Sequence, residues 1–496
     1  MDYEFDAIDF NQQKEPDWSE VWPHDDGDES PLAPLTSPEG QTDLAHARRF
    51  VDIHGDKVRY CHPWKKWLIW DGCRWAVDDD GGVERLADTI ADNVWEIARQ
   101  TNDIQAMKAA VRCASAPGIA AFLKLARSKV SIAPREMDPN EFLLNCPNGT
   151  VDLRTGNLRE HRREDNITKL CPIEYVPGAV GNHWPQFLFS IFGGDEQLEG
   201  YVQRYFGYCL TADVREQLLT VFHGYGANGK STLLEAVMGV MGEDYAAMAS
   251  RNLLMARRGD AHPTELAHLF GKRLVVSTET EDNRTLDESL VKQLTGGDTI
   301  TARRMREDFW SFSPTHKLIL CTNHKPKVKG TNHAIWRRLR VVPFDVRFNK
   351  PDREMPQKLR AEQTAILAWL VRGCVEWTQR GLDEPESVRV ATAKYRRDSD
   401  TVGRFIEARC IRNPTARSKP MELFNALEKW CNEEGEEIPK RREFWDKLVE
   451  QGFEKGKSGS RSYKGIELRT KQDETEHLGA MDGWALDSAL LGNHNT

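Results

Sequence analysis

The residues best suited by type and spacing to do chemistry form a glycine-rich run, G-Y-G-A-N-G-K-S-T, at positions 224–232. The run fits the pattern G-x-x-x-x-G-K-[ST], in which backbone N–H groups and the positive end of a helix dipole surround phosphate oxygens. Lys230 would reach the β- and γ-phosphates of ATP, and Ser231 would hold Mg²⁺. The predicted nucleotide-binding residues are Gly224, Gly226, Ala227, Asn228, Gly229, Lys230, Ser231 and Thr232.

Two further runs supply polar residues at the ends of apolar stretches. The run Leu274–Val276 predicts a buried strand that leads to Glu279 and Glu281, which point the same way if the strand continues. We expect Glu279 to be the main catalytic acid and a Mg²⁺ ligand, and Glu281 its helper in orienting water. A second apolar run ends in Asn323, which we expect to sense the γ-phosphate and hold the attacking water.

Basic residues are concentrated between positions 301 and 350, where twelve bases stand against three acids. This excess of +9 favours contacts with phosphate, of a nucleotide or of DNA. Arg303, Arg304 and Arg306 follow a Gly-Gly turn and are predicted to lie on a projecting hairpin that binds DNA. Three more arginines, Arg337, Arg338 and Arg340, are candidates for an arginine finger that reaches a neighbouring subunit's nucleotide, and the sequence does not choose among them.

Composition limits the class of protein. The 496 residues carry a formal charge of −9, but residues 1–40 hold twelve acids and one base, which leaves the rest of the chain at +2. Such a body is compatible with DNA binding. The ten cysteines form no C-x-x-C pair, which argues against a zinc site or a disulfide framework and favours a reducing cytoplasm. No run of 18 apolar residues predicts a membrane span.

These residues need a scaffold, and the chain divides into five predicted segments. The segments are an acidic disordered tail at 1–44, an N-terminal α+β domain at 45–180, an α/β ATPase domain at 181–384, a C-terminal domain at 385–471 and a flexible tail at 472–496. The acidic tail could bind a partner protein, mimic DNA or act as a solubilising tail. In the N-terminal domain, Asp71-Gly72 predicts a hairpin, helices are predicted at about 83–100, 104–113 and 117–129, and residues 142–158 predict two short strands.

Residues 385–400 are interpreted as a basic connector to the C-terminal domain. Beyond it, helices at 421–432 and 440–451 precede a basic hairpin at 453–468, an order similar to a winged helix-turn-helix. The alternative is a small helical cap with a solvated surface. On the first interpretation, phosphate contacts come from Lys440, Arg441, Arg442, Lys455, Lys457, Arg461 and Lys464.

Five motifs taken together resemble superfamily 3 helicases of the phage, plasmid and poxvirus primase-helicase group. They are G-A-N-G-K-S-T at 226–232, S-T-E-T-E at 277–281, L-T-G-G-D-T-I-T-A-R at 294–303, C-T-N-H-K-P at 321–326 and I-W-R-R-L-R-V-V-P-F at 335–344. The resemblance implies an AAA+-like P-loop core with an N-terminal helicase-associated domain. It also implies a ring, usually hexameric, that hydrolyses ATP between subunits and draws single-stranded DNA through its centre, typically 3′ to 5′. The family's channel hairpin maps onto about 298–312, its sensor onto Asn323 and its finger onto Arg337–Arg340.

Many relatives carry a primase-polymerase domain, whereas an acidic segment of only about 45 residues precedes the helicase-associated domain here. Priming activity is therefore not expected. The function that the resemblance implies is that of an ATP-dependent DNA helicase in phage, prophage or plasmid replication, acting on single-stranded and forked DNA. Two alternatives remain open: an ATP-regulated origin-binding or scaffold protein without processive unwinding, and a primase-helicase.

Overall fold

The computed structural model describes residues 34–35, 37–250, 252–257, 263–279, 284–305, 308–329, 333–456 and 462–469. The described residues form two compact units, one within 1–70 and 76–134 and the other within 71–75 and 135–496. The acidic tail at 1–33 and the C-terminal tail from 470 onward lie outside the described residues.

The first unit packs helices around a small antiparallel sheet of order β1-β2-β3. Its elements are α1 (Asp43–His54), β1 (Val58–Cys61), β2 (Lys66–Trp70), β3 (Trp75–Val77), α2 (Gly82–Thr101), α3 (Ile104–Cys113) and α4 (Ala116–Ala126). The predicted hairpin at Asp71-Gly72 and the three predicted helices are confirmed within a few residues. Among the described residues no single helix is long and apolar enough to cross a membrane. The pair α3 and α4, bent by 76°, meets those criteria by length and composition only.

The second unit is built on a five-stranded parallel sheet. Its elements before the C-terminal module are β4 (Leu143–Cys146), β5 (Gly149–Asp152), β6 (Asn157–Arg159), α5 (His183–Phe192), α6 (Glu196–Cys209), β7 (Leu219–His223), α7 (Lys230–Tyr245), β8 (Ala246–Met248), α8 (Pro263–Ala267), β9 (Leu274–Glu279), α9 (Glu288–Thr295), β10 (Ile300–Ala302), β11 (Trp310–Phe312), β12 (Lys317–Thr322), α10 (His333–Trp336), β13 (Leu339–Pro343), α11 (Met355–Ala361), α12 (Gln363–Arg380) and α13 (Glu386–Ser399). The C-terminal module adds α14 (Thr401–Arg409), β14 (Cys410–Ser418), α15 (Pro420–Glu434), α16 (Arg441–Glu450), β15 (Glu454–Lys455) and β16 (Tyr463–Leu468). The large sheet has the order β13-β7-β12-β9-β8, and all its strands are parallel.

Continuous apolar runs form this sheet because it is covered on both faces. All six residues of β12 are buried. Successive residues alternate between two cores: Val221 packs in one with α9 and α13, and Phe222 packs in the other with α5, α6, α7 and α12. The α/β fold class with a parallel sheet is therefore confirmed.

Register places the polar ends of three neighbouring strands side by side. Thr322, the last residue of β12, lies opposite His223 of β7 and opposite Glu279 of β9. Because parallel strands end at the same edge, the residues that follow β7, β9 and β12 come together there. The glycine-rich run and Asn323 both follow strands at this edge.

Three local predictions differ from the structure. Residues 142–158 contain three strands, β4 to β6, in one antiparallel sheet, where two were predicted. The segment at 385–400, interpreted as a connector, is largely the helix α13. The nine-residue strand β14 was not predicted, and it pairs with β16 in a sheet of order β14-β16-β15. Its Pro, Asn and Arg residues hide the alternation that identifies a strand.

Candidate functional site

The glycine-rich run forms a tight turn between β7 and α7. Gly226 and Gly229 have φ angles of +89° and +83°, a region that L side chains rarely adopt. A Cβ on Gly229 would lie 2.4 Å from Cγ2 of Ile191, and one on Gly224 would lie 2.4 Å from the carbonyl oxygen of Phe344. Glycine is therefore required at Gly229 for both conformation and space.

Lys230 is the first residue of α7, and the preceding loop encloses its ammonium group. The residue is 4% exposed. Its Nζ donates to the carbonyl oxygen of Gly224 at 2.7 Å and to Oδ1 of Asn228 at 3.1 Å. It also donates to Oδ1 of Asn323 at 3.2 Å, which joins the loop to the end of β12. Burial lowers the pKa of Lys230, whereas three oxygen acceptors favour the charged ammonium.

Of the two predicted acids, the structure describes only the backbone of Glu279. Glu279 is the last residue of β9 and lies in register with Thr322, but its side chain is not among the described parts of the chain. Glu281 lies outside the described residues. The preceding Thr278 lines the same cavity as Lys230 and Asn323, so the end of β9 reaches the edge where the predicted site lies.

A cavity of about 520 Å³ opens beside the loop, within the size range of small-molecule sites. Its lining residues are Phe187, Ser190, Gly226, Ala227, Asn228, Gly229, Lys230, Ser231, Thr232, Thr278, Cys321, Thr322, Asn323, Phe348, Lys350, Pro351, Asp352 and Met355. The sequence predicted the loop and Asn323 but missed two walls, one on α5 and one at 348–355. Folding brings these walls to the loop from distant parts of the chain, and no local spacing pattern links them to it. A weak signal was the charged F-N-K-P-D run shortly after β13.

These residues fit a nucleoside triphosphate and Mg²⁺. The turn brings backbone close to the cavity at glycine positions, and α7, which is uninterrupted up to a kink at Gly242, begins there with its N–H groups. Ser231 is exposed in the first turn of α7 and lines the cavity, where a hydroxyl could be a metal ligand. Lys230 supplies a cation on the same side.

The three candidate finger arginines have different surroundings. Nε of Arg340 lies 2.8 Å from Oε2 of Glu384 in a half-buried ion pair. Arg338 is 9% exposed, burial lowers its pKa, and its Nη1 donates to the carbonyl oxygen of Ala334 at 2.9 Å. Arg337 is exposed, and its guanidinium makes no hydrogen bond or ion pair with the described part of the chain.

The basic region at 301–350 is not uniformly available to phosphate. Lys317 is 3% exposed and donates to the carbonyl oxygens of Thr211 and, at 3.2 Å, Asp213. Burial lowers its pKa to about 7. Like Arg338 and Arg340, Lys317 is held by contacts within the fold. Fewer cations of this region are therefore available at the surface than the excess of +9 suggests.

The predicted hairpin is formed by β10 and β11, which pair antiparallel with Thr301 opposite Ser311. Arg303 and Arg304 are exposed beyond β10, and Arg306 lies outside the described residues. The Arg303 guanidinium lies 4.7 Å from the ring centroid of Phe309, and that of Arg304 lies 5.9 Å from Trp310. Phe309 is itself 59% exposed, so the hairpin presents cations beside an accessible aromatic ring.

The predicted phosphate-binding residues of the C-terminal module lie around the start of α16. Lys440, Arg441 and Arg442 are all exposed, whereas Lys457 and Arg461 lie outside the described residues. The Arg441 guanidinium lies 5.2 Å from the ring of Phe424, and Arg442 forms a 4.0 Å pair with Asp446. Glu443 lies in the same first turn, and Lys447 in the last turn is buried 3.8 Å from Asp400, so the exposed positive charge of α16 comes from Arg441 and Arg442.

A second basic pair lies on β14 and β16, and the sequence predicted only one of its members, Lys464, as a phosphate contact. Arg417 lies directly opposite Lys464, and both are exposed. Directly opposed residues of an antiparallel pair share a face. Tyr463, the next residue of β16, instead turns into the core and stacks on Trp445 at 5.7 Å. Arg417 and Lys464 therefore share the outer face of this small sheet.

Comparisons with known proteins identify the class. The family described as "D5 N terminal like" matches residues 47–193, and a "Family of unknown function (DUF5906)" matches residues 222–338. The chain is 27% identical over 322 residues to "Putative helicase L207/L206" of Acanthamoeba polyphaga mimivirus, covering 60% of this chain and 33% of that protein. It is 26% identical over 326 residues to "Putative primase C962R" of African swine fever virus (strain Badajoz 1971 Vero-adapted), covering 60% and 34%.

A third relative is "Putative helicase 022R" of Frog virus 3 (isolate Goorha), which is 26% identical over 387 residues and covers 60% of this chain and 39% of that protein. The chain spans about a third of the length of these curated relatives. Among solved structures, an apo structure of the NrS-1 C-terminal region aligns over 86% of this chain and 100% of that one, with 12% identity and a TM-score of 0.48. These matches bear out the predicted resemblance: the chain is similar to D5-like viral proteins named as putative helicases and primases.

Proposed function

We propose that this chain is an ATP-dependent DNA helicase of the superfamily 3 type, acting in the replication of a virus, phage or plasmid. The observation that carries the proposal is the meeting of the glycine loop with the end of β12, where Lys230 lies 3.2 Å from Asn323 beside a ligand-sized cavity. The strand order, with β7 between β13 and β12, supports an AAA+-like P-loop core. The relatives named as helicases support the choice of reaction.

In this proposal each residue of the site has a separate task. The loop N–H groups and Lys230 bind the triphosphate, while Ser231 and Glu279 hold Mg²⁺. Bound Mg²⁺ neutralises charge on the β- and γ-phosphates. Asn323 orients the attacking water, with Glu279 as the main acid and Glu281 as its helper. Arg337, the exposed member of the three arginines, is the candidate finger toward a neighbouring subunit's nucleotide.

DNA contacts are proposed at two surfaces. The β10–β11 hairpin would grip single-stranded DNA through Arg303, Arg304 and Arg306. The C-terminal module has the element order helix, strand, helix, helix, strand, strand and the sheet order β14-β16-β15, which support a winged-helix fold. Its phosphate contacts would come from Lys440, Arg441, Arg442, Lys457 and Arg461, with Arg417 and Lys464 on the sheet.

The decisive experiment is strand displacement on a forked DNA duplex. We expect the wild-type chain to open the duplex with ATP and Mg²⁺. Lys230→Ala should lower the rates of hydrolysis and unwinding by about a hundredfold or more, because the cation that binds the phosphates is removed. Equal melting temperatures of the two proteins would establish that folding is retained. Hydrolysis and DNA binding without any unwinding by the wild type would instead favour the origin-binding or scaffold alternative.

A further inference from the structure

Through a single tyrosine, the helix α13 contacts two segments that adjoin the proposed site residues Asn323 and Arg337. Tyr395 is 2% exposed, and its hydroxyl donates a hydrogen bond to the carbonyl oxygen of Pro326. Its ring packs edge-on against Trp336, with centroids 5.3 Å apart. Pro326 follows Asn323 by three residues, and Trp336 directly precedes Arg337.

The segment after Asn323 is held on several sides. Lys325 lies over the Tyr395 ring, 5.4 Å from its centroid, and its Nζ lies 3.7 Å from Oδ2 of Asp398, one turn further along α13. On the other side, Lys327 donates its N–H to the carbonyl oxygen of Arg284 at 2.7 Å. The hydrogen bond from the Tyr395 hydroxyl therefore adds to the contacts that hold the short segment beginning at Asn323.

The helix that carries Tyr395 is itself fixed to the sheet. Oγ1 of Thr392 accepts a hydrogen bond from the backbone N–H of Val341 on β13, at 3.0 Å. Tyr395 and Trp336 both belong to the core that includes the strand residues Leu320 and Val341. Movement of Asn323 relative to β13 would therefore disturb buried contacts of Tyr395.

We propose that Tyr395 is a positioning residue for ATP hydrolysis: its hydroxyl holds the Asn323 segment through Pro326, and its ring supports the turn that bears Arg337. This role rests on the proposed ATPase function. Neither the hydroxyl nor the ring of Tyr395 lines the nucleotide cavity. Tyr395 therefore affects the placement of Asn323 and Arg337 rather than the affinity for nucleotide.

The test compares Tyr395→Phe with a matched substitution in the full chain. Tyr175 is a second buried tyrosine, 5% exposed, whose hydroxyl donates to the carbonyl oxygen of Gly156 at 3.0 Å. Both Phe variants keep the ring and remove one neutral hydrogen bond. We expect Tyr395→Phe to lower kcat for DNA-stimulated ATP hydrolysis about fivefold, the scale of one such bond, with KM for ATP within about twofold. Tyr175→Phe should lose a similar amount of thermal stability and keep its kcat.

A double-mutant cycle separates positioning from general stability. Because the hydroxyl acts through Asn323, Tyr395→Phe should lower the residual rate of Asn323→Ala by less than about twofold. A fivefold loss that persists in the Asn323→Ala background, an equal loss in Tyr175→Phe, or an unchanged kcat in Tyr395→Phe would each overturn the inference. A wild-type chain that hydrolyses no ATP would overturn the proposed function, and this inference with it.

Discussion

At the scale of single residues, the environment of a charged side chain decides which function it can serve. Arg337 and Arg340 lie three positions apart, yet Arg340 is held by Glu384 and by two backbone carbonyl oxygens. A guanidinium that is already paired would lose those bonds before it could reach another subunit. Arg337 would lose no such bonds, because its guanidinium makes no hydrogen bond or ion pair with the described part of the chain.

This difference predicts that substitution of Arg340 lowers stability, whereas substitution of Arg337 lowers ATP hydrolysis. We expect Arg340→Ala to lower the free energy of unfolding by about 1 kcal/mol, since it removes a half-buried ion pair. Arg337→Ala should leave unfolding unchanged and reduce ATP hydrolysis by about a hundredfold or more. Chemical denaturation and steady-state hydrolysis of both variants check the pair. A stable Arg340→Ala with lost activity would move the finger to Arg340.

At the scale of elements, the β10–β11 hairpin combines exposed cations with one exposed ring, that of Phe309. Single-stranded nucleic acid binds to surfaces of this type through phosphate attraction and base stacking. Arg303 lies against Phe309, so the two side chains present a shared surface. The hairpin strands pair over only three residues, and buried Ile300 and Phe312 anchor its base in the core.

We therefore predict that Arg303→Ala/Arg304→Ala abolishes stimulation of ATP hydrolysis by single-stranded DNA while basal hydrolysis is retained. The substitution removes two phosphate contacts and leaves the anchoring residues of the hairpin intact. Lys329→Ala is the matched control, because Lys329 is an exposed base of the same region outside the hairpin. Hydrolysis rates titrated with oligonucleotide provide the measurement. Undiminished stimulation of the double variant would contradict the hairpin assignment.

The C-terminal module raises a separate question, which is whether its DNA contacts lie on α16 or on the sheet. Each cation that contacts a phosphate contributes about 0.9 to the slope of log affinity against log salt. We expect Arg417→Ala/Lys464→Ala to reduce this slope for duplex DNA by about 1.8, twice that contribution. Lys419→Ala is the control, since Lys419 is exposed but lies 3.2 Å from Glu422. An unchanged slope would restrict the interface to the start of α16.

The elements also show which parts of the fold could be predicted from the sequence. Strands β7, β9 and β12 could be predicted because a buried parallel strand has a continuous apolar sequence, as at Leu274–Val276. Strand β14 was not, because one face of it is solvated and its residues are polar. Residues such as Phe187 and Phe348 could not be assigned to the cavity, because their closeness to Lys230 depends on tertiary packing. Lys317 was counted with the phosphate-binding bases for the same reason.

At the scale of the whole molecule, the proposed finger at Arg337 predicts a site that is shared between two chains. Lys230 and Asn323 meet in the same subunit, whereas Arg337 is exposed and has no nucleotide cavity residue among its described contacts. Hydrolysis would then require a second copy of the chain, as in the ring that the family resemblance implies. The acidic tail, a proposed contact for replication proteins, lies outside the described residues and does not enter this argument.

Mixing two inactive variants tests this dependence on a neighbour. In rings that contain equal amounts of Lys230→Ala and Arg337→Ala chains, about a quarter of the interfaces would join an intact Lys230 to an intact Arg337, if chains mix at random and the finger acts in trans. We therefore expect ATP hydrolysis to recover to about a quarter of the wild-type rate. Mixing Lys230→Ala with Asn323→Ala is the control and should restore nothing, because both residues belong to the same subunit's site. Equal recovery in both mixtures, or none in either, would contradict a finger supplied by the neighbour.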